Sequence, residues 1–439
     1  MKLLGKRLAR HTVFNVVGQA TPLIAAFFTI PLLIAALGED RFGALTLAWL
    51  LTGYASIFDF GLGRALTQMV AQDLQRADDA DTTELGALVA TALAATFGFS
   101  VIAGVILYLL TPTLVVNVFN VSAELQAETQ QGLRLIALFL PIVIATTGVR
   151  GVLEAYQHFF AVNAVSVPMG LLNYLAPLAV LPLSNGLPAI VLVLIIVRAL
   201  GTLTYLFLCL RLLPWRYWQL RPNTLPALFR FGGWMSVSNI IAPIMLSFDR
   251  FVIAGMVSLS AVAYYTTPYT VINKMRIVPM ALMRALFPAL ARERSNAKTL
   301  YQQSLFSLSV VMIPAVAVVV IFAKPGLTLW LGADFAAQSF RVAQLLALGI
   351  LVHSLGQPSF TLIQALGRPD LTAKLHVAEI PFYVLYLPWL IERFGIDGAA
   401  GAWLLRVSIS TVMLSLLAGW LLRREVGRAG TLEQQPSRQ

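Results

Sequence analysis

A succession of long apolar runs, separated by short breakers, constrains this chain more than any other feature. The runs occupy residues 12–37, 43–71, 85–110, 131–155, 160–183, 188–213, 229–257, 261–291, 302–323, 340–366, 372–391 and 396–422. A helix that crosses a bilayer needs about 20 mostly apolar residues, and each run is that long. Only 12% of the residues are charged and 58% are apolar, against about 25% and 45–50% in water-soluble domains. So few charges cannot cover the surface of a soluble body of 439 residues. A soluble enzyme, a disordered chain and a coiled-coil or collagen-like rod are excluded. The pattern predicts an all-α polytopic membrane protein with about 12 transmembrane helices.

Lys and Arg number 31 against 20 Asp and Glu, a net charge of +11. With the amino terminus in the cytoplasm, about eighteen of the cations fall in cytoplasmic segments and about four, Arg41, Lys324, Arg341 and Arg393, fall outside. This bias places both termini in the cytoplasm and requires an even number of spans. The opening MKLLGKRLARH has the charge of a signal-peptide n-region. The run after it is too long for an h-region and continues into the polytopic pattern, so it reads as an uncleaved first span. Residues 424–439 lack an apolar period and read as a disordered cytoplasmic tail. The single cysteine, Cys209, allows no intrachain disulfide, and His11, His158, His353 and His376 have no metal-ligand spacing. No metal and no cofactor is expected.

The runs divide into two sets of six. Asn15 and Pro22 in the first run correspond to Asn239 and Pro243 in the seventh. Arg64-Ala65-Leu66 in the second corresponds to Arg284-Ala285-Leu286 in the eighth, and Arg198 in the sixth to Arg406 in the twelfth. An even number of spans per set keeps the two in the same orientation, as in parallel repeats related by a pseudo-twofold axis along the membrane normal. The expected organisation is a lobe at 1–213, a basic cytoplasmic linker at 214–228 and a second lobe at 229–423.

About nine cations remain at membrane depth: Arg64, Arg134, Arg150, Arg198, Arg250, Lys274, Arg276, Arg284 and Arg406. A central Lys or Arg costs about 2.5–3.5 kcal/mol on insertion scales, so five facing lipid cost on the order of 12–18 kcal/mol. That exceeds the stability of a typical protein, about 5–15 kcal/mol. Acids at similar depth are Asp59, Glu154, Asp249 and Glu379, too few to pair with all of them. Glu154 follows Arg150 by one helical turn and neutralises it. Arg64, Arg134, Arg150 and Arg284 lie near span ends, where a long side chain reaches the interface. Asp249 and Arg250 are helix neighbours about 100° apart and are not expected to pair. Arg198, Arg250, Lys274, Arg276 and Arg406 therefore point either to an aqueous cavity or to structural pairing.

Tyr265, Tyr269, Asn273 and Arg276 fall within an arc of about 80° on the eighth span. Such a stripe suits a sugar phosphate, with aromatic faces for sugar rings and a guanidinium fork for phosphate oxygens. It equally suits a helix contact. Lys274 points the other way. Pro22 and Pro243 occupy matching helices, where bends would let two lobes rock. Gly61-Leu62-Gly63 lies inside a span and is no nucleotide loop, and nothing in the pattern points to nucleic acid.

One resemblance gathers these features. The order Asn15-x2-Gly18, Pro22, Thr29-Ile30-Pro31-Leu32-Leu33, Leu37-Gly38, Arg41-Phe42-Gly43, Trp49, Tyr54 and Phe58-Asp59-Phe60-Gly61-Leu62-Gly63-Arg64-Ala65-Leu66-Thr67 resembles the Wzx-type polysaccharide flippases of the multidrug/oligosaccharidyl-lipid/polysaccharide exporter superfamily. The resemblance implies two six-helix lobes around a cationic cavity. It also implies an undecaprenyl-diphosphate-linked oligosaccharide moved from the cytoplasmic to the periplasmic leaflet of the bacterial inner membrane. The product would serve O-antigen, capsule or exopolysaccharide synthesis, beside a polysaccharide polymerase and its chain-length machinery. No catalytic residue is expected. Arg198, Arg250, Arg276 and Arg406, with Lys274, are the candidate substrate contacts, together with Tyr265, Tyr269 and Asn273. Asp59, Arg64, Arg284, Pro22 and Pro243 are candidate gating or structural residues.

Three other classes stay open. A cation-coupled multidrug exporter of the same superfamily would carry acids in its amino-terminal lobe, and the first span here has none. A lipid II flippase usually carries two further helices. A membrane glycan polymerase or ligase needs a sizeable catalytic outer loop, and the loop at 111–130 carries only Glu124 and Glu128.

Overall fold

The computed structural model describes residues 21–53, 59, 61–76, 82–229, 247–292 and 296–433, with backbone alone at 76, 291 and 424–433. Every element among the described residues is helical. In chain order they are α1 (Thr21–Leu37), α2 (Glu39–Gly53), α3 (Leu62–Arg76), α4 (Thr82–Thr113), α5 (Ala123–Ala155), α6 (Phe159–Val180) and α7 (Leu187–Leu212). There follow α8 (247–256), α9 (Leu259–Ile272), α10 (Ile277–Arg292), α11 (Ala297–Leu331), α12 (Ala333–Ala365) and α13 (Pro369–Glu433). Seven of these segments are long and apolar enough to cross a membrane. Their outward faces carry bare apolar side chains, such as Leu109, Leu138, Phe306 and Leu329. In water such a surface would aggregate; in a bilayer it is the solvated face.

The chain forms two compact units, Met1–Ala263 and Tyr264–Gln439. This division falls later than the basic stretch at 214–228, for two physical reasons. The basic stretch is folded onto the first unit: Arg221 N–H donates to Thr91 Oγ1 (2.9 Å), and Trp218 Nε1 donates to the Leu213 carbonyl (3.1 Å). Beyond it, α8 packs on the segment after α4. The Asn120 amide donates to the Ala254 carbonyl (2.9 Å), and its side chain to that of Val257 (3.1 Å).

In the first unit α5 is central, packed by α3, α4 and α7, with α6 on α7. Leu62, Leu66, Val89, Val152, Tyr205 and Cys209 form its buried core. Lipid is as apolar as leucine, so burying leucine drives no association there; close approach of backbones does. Gly104 accordingly faces the Ala137 carbonyl with no room for a β-carbon. The second expected span, 43–71, is not one uninterrupted helix. It breaks at Gly61, which has φ 74 and is followed at once by α3.

In the second unit α12 is central, packed by α10, α11 and α13. Gly349 and Gly356 admit Trp403 and Thr411 of α13. Thr411 Oγ1 donates to the Val352 carbonyl (3.1 Å), and Gln344 Nε2 to that of Val320 (2.9 Å). α13 is two helices joined at Gly395, whose φ of 57 and ψ of −137 only glycine adopts readily. The halves fold back on each other: Tyr386 Oη donates to the Ala402 carbonyl (3.3 Å), and Gly398 abuts the Leu390 carbonyl. This turn separates the expected runs 372–391 and 396–422. The helix then continues to Glu433, past Arg423 and into the tail that the sequence reads as disordered.

Candidate functional site

In the first unit, Asp59 is a cap. Its Oδ1 accepts the Gly61 amide (2.7 Å), the Gly63 amide is a second donor, and Thr147 Oγ1 donates to Oδ2 (3.3 Å). The carboxylate thus satisfies amides that the first turn of α3 would otherwise leave bare. Arg64, one residue into that turn from Gly63, is exposed and lines a cavity of about 610 Å³ with Gln68 and Tyr156. Arg150 Nε donates to Glu154 Oε1 at 2.7 Å, the expected one-turn pair.

Arg198 lies half-buried on α7. Its Nη2 reaches Thr52 Oγ1 at 3.5 Å, and no carboxylate stands within ion-pair distance among the described residues. Arg250 corrects an expectation. It and Asp249 do interact: Arg250 Nη1 stands 3.9 Å from Asp249 Oδ1, and the same oxygen accepts the Arg250 amide at 2.9 Å. Both are buried, at 3% and 1% exposure. A guanidinium on a long stem bends back across the 100° that separates the two Cα–Cβ directions, and burial favours that return. Pro22 stands in the first described turn of α1, against Gly170 of α6. Pro243 and Asn239 lie outside the described residues.

In the second unit, the predicted stripe is partly assembled. α9 tightens into a 3-10 turn at Asn273–Arg276 before α10. Three residues per turn eclipse i and i+3, and Arg276 Nη1 donates to Asn273 Oδ1 at 3.4 Å. Tyr265 and Tyr269 stack with ring centres 6.3 Å apart, and Tyr269 meets Trp403 edge-on. Tyr265 is fully buried, so it supports Tyr269 rather than offering a face to a ligand. Lys274 is exposed, as is Arg284 on α10.

Arg276 belongs to a cavity of about 270 Å³ shared with His353, Gln357, Phe360, His376 and Thr411. Gln357 Nε2 and His353 Nε2 are 3.1 Å apart, and His376 Nδ1 is 3.6 Å from Glu379 Oε2. Arg406 lies with its guanidinium 5.0 Å from the Tyr383 ring centre and within electrostatic reach of His353. Its Nε has no hydrogen-bond partner among the described residues. Sequence spacing does not single out the two histidines and Gln357, because they fit no metal-ligand pattern. Their usable signal is weaker: His353 and Gln357, and His376 and Glu379, sit one helical turn apart in apolar runs.

The sequence pattern of a family described as "Polysaccharide biosynthesis protein" matches residues 33–340. Over 419 residues the chain is 30% identical to the "Putative O-antigen transporter" of Shigella flexneri, covering 95% of this chain and 98% of that protein. It is similar in structure to an inward-facing multidrug resistance MATE family transporter of the MOP superfamily. The TM-score is 0.75 at 13% identity, over 93% of this chain and 98% of that one. The lipid II flippase MurJ in an inward closed conformation gives 0.72 at 12% identity, over 93% and 87%. At these identities the structural likeness establishes the fold alone.

Proposed function

This chain belongs to the polysaccharide biosynthesis protein family, and from that premise we propose that it is a flippase for lipid-linked oligosaccharide, moving the sugar headgroup between leaflets for surface polysaccharide synthesis. The observation that carries the reading is the set of guanidinium groups at membrane depth. Arg198 in the first unit, and Arg276 and Arg406 in the second, have no carboxylate within ion-pair distance among the described residues. Charges kept at such depth without a counter-charge need water or an anionic ligand. A diphosphate with sugars supplies that anion, and guanidinium forks bind phosphate oxygens in pairs.

The substrate is an undecaprenyl-diphosphate sugar, and the membrane is the bacterial inner membrane, with both termini in the cytoplasm. Arg198, Arg276 and Arg406 contact the headgroup, with Lys274 nearer its edge, and Arg250, buried against Asp249, joins them when that pair opens. Tyr269 and Asn273 contact sugar. Alternating exposure of the site to the two faces completes the cycle. No bond is made or broken, so no residue has a catalytic role. A polysaccharide polymerase with its chain-length machinery takes the product.

Reconstitution tests this. Protein in liposomes is given a fluorescent undecaprenyl-diphosphate oligosaccharide, and the fraction reaching the opposite leaflet is read by quenching. Transfer at rates above protein-free liposomes is expected. Transfer of cationic drugs with none of the lipid-linked sugar overturns the reading in favour of multidrug export.

A further inference from the structure

The turn between α5 and α6 and the turn between α12 and α13 are one turn built from different residues. In the second, the amides of Leu366, Gly367 and Arg368 reach the carbonyls of Leu362 (2.9 Å), Gln364 (3.0 Å) and Ile363 (3.1 Å). In the first, Tyr156, Gln157 and His158 reach Val152 (3.1 Å), Glu154 (2.9 Å) and Leu153 (2.9 Å). The left-handed position is Gly367 in one, at φ 79, and Gln157 in the other, at φ 58. Among the described residues Gln157 is the one non-glycine with positive φ. A β-carbon strains that conformation and glycine relieves it. Strain kept in one copy of a turn and absent from the other marks a side chain with a use.

The Gln157 side chain lines the cavity of about 610 Å³ at the end of α3, within the range of about 300–1,000 Å³ typical of small-ligand sites. α3 adds the amides of Gln68 and Gln75 and, at one edge, the Arg64 guanidinium. Tyr156 and Phe159 add aromatic faces. None of the three amide side chains is hydrogen-bonded to another described residue. Glu154 on the same wall is already occupied by Arg150 at 2.7 Å. The base is rigid, because Gly151 admits Thr67 of α3 with no room for a β-carbon and Gly148 admits Leu93.

Each amide offers a donor and an acceptor in one plane, matching neighbouring sugar hydroxyls, and aromatic faces cover the apolar side of a sugar ring. We propose that this cavity is a glycan-loading site, holding sugar residues of the lipid-linked oligosaccharide before its diphosphate moves into the membrane. The proposal rests on the flippase reading. It places loading on the face that the charge bias assigns to the cytoplasm.

Calorimetric titration of the purified protein with free repeat-unit oligosaccharide, cut from its lipid by mild acid, tests it. Thermal stability and liposome transfer are read on the same preparations. The unaltered protein is expected to bind. Gln157→Gly is expected to raise Tm by about one degree while weakening binding about fivefold. Gln68→Ala and Gln75→Ala are expected to weaken binding with Tm unchanged. A lower Tm in Gln157→Gly assigns the side chain to the fold and overturns the proposal. Unchanged binding in all three variants, or none by the unaltered protein, overturns it too. If the unaltered protein binds the sugar and transfers nothing, the flippase reading fails and the cavity remains a glycan site.

Discussion

The carboxylate of Asp59 stands 2.9 Å from the point where a β-carbon on Gly63 would lie. The two residues are one device: the carboxylate caps α3 only because position 63 has no side chain. Gly63→Ala is expected to push the carboxylate off its amides and cost about 1–2 kcal/mol, the value of a lost cap. Asp59→Ala is expected to cost about as much, and the double variant little more than either alone. Thermal unfolding of the three purified variants checks this. Additive losses would separate the two residues.

Asp249 and Arg250 form a buried charge pair, so removing one takes a close counter-charge from the other. Arg250→Met is expected to destabilise by about 3–5 kcal/mol and to lower the amount of folded protein in the membrane. Asp249→Asn combined with Arg250→Met is expected to restore folded protein while transfer stays low. Restored transfer in the double variant would make Arg250 structural.

Arg406 over Tyr383 combines a charge with a flat stacking surface. Lysine keeps the charge and loses the planar fork. Arg406→Lys is expected to retain part of the transfer rate and Arg406→Ala almost none, with Tyr383→Leu costing about 1 kcal/mol of stability. Liposome transfer beside thermal unfolding separates the two effects.

The α12–α13 turn carries an acid-sensitive contact outside the spans. Arg368 Nε and Nη2 donate to Asp370 at 2.9 and 3.0 Å, and Lys374 Nζ stands 3.7 Å away. The Arg368 hydrogen bonds hold the Asp370 carboxyl below its ordinary value, at about 2. The folded pKa is depressed, so this contribution is fully present above the unfolded value, near pH 4, and is lost as pH falls toward 2. The side chain is 41% exposed and solvent screens it, so the effect is small. Tm measured in detergent from pH 6 to 2 is expected to fall slightly less for Asp370→Asn than for the unaltered protein. Parallel curves would rule the contact out as an acid-labile element.

Among the described residues hydropathy located the long apolar helices because lipid demands apolar length, and the break at Gly395 lies between two of the runs. It could not see the break at Gly61. A capped turn costs a membrane protein no apolar residues when the surrounding helices satisfy it. Helical periodicity brought Asn273 and Arg276 together, and the 3-10 turn preserved the contact since i and i+3 align even better there. It overvalued Tyr265, because period says which residues share a face and nothing about what covers that face. The Arg250 pairing was missed for a related reason. Cα–Cβ directions predict short side chains well and long, bending ones poorly.

The turn at Gly395 bears on how the chain is made. Its two helices touch first near the bend, Leu390 against Gly398, and next at Tyr386 against Ala402, so their contacts are local in sequence. With one non-helical residue between them, the earlier helix has no slack in which to settle alone while its partner is still being synthesised. The pair enters the bilayer as a single hairpin, and a chain cut short between them forfeits both.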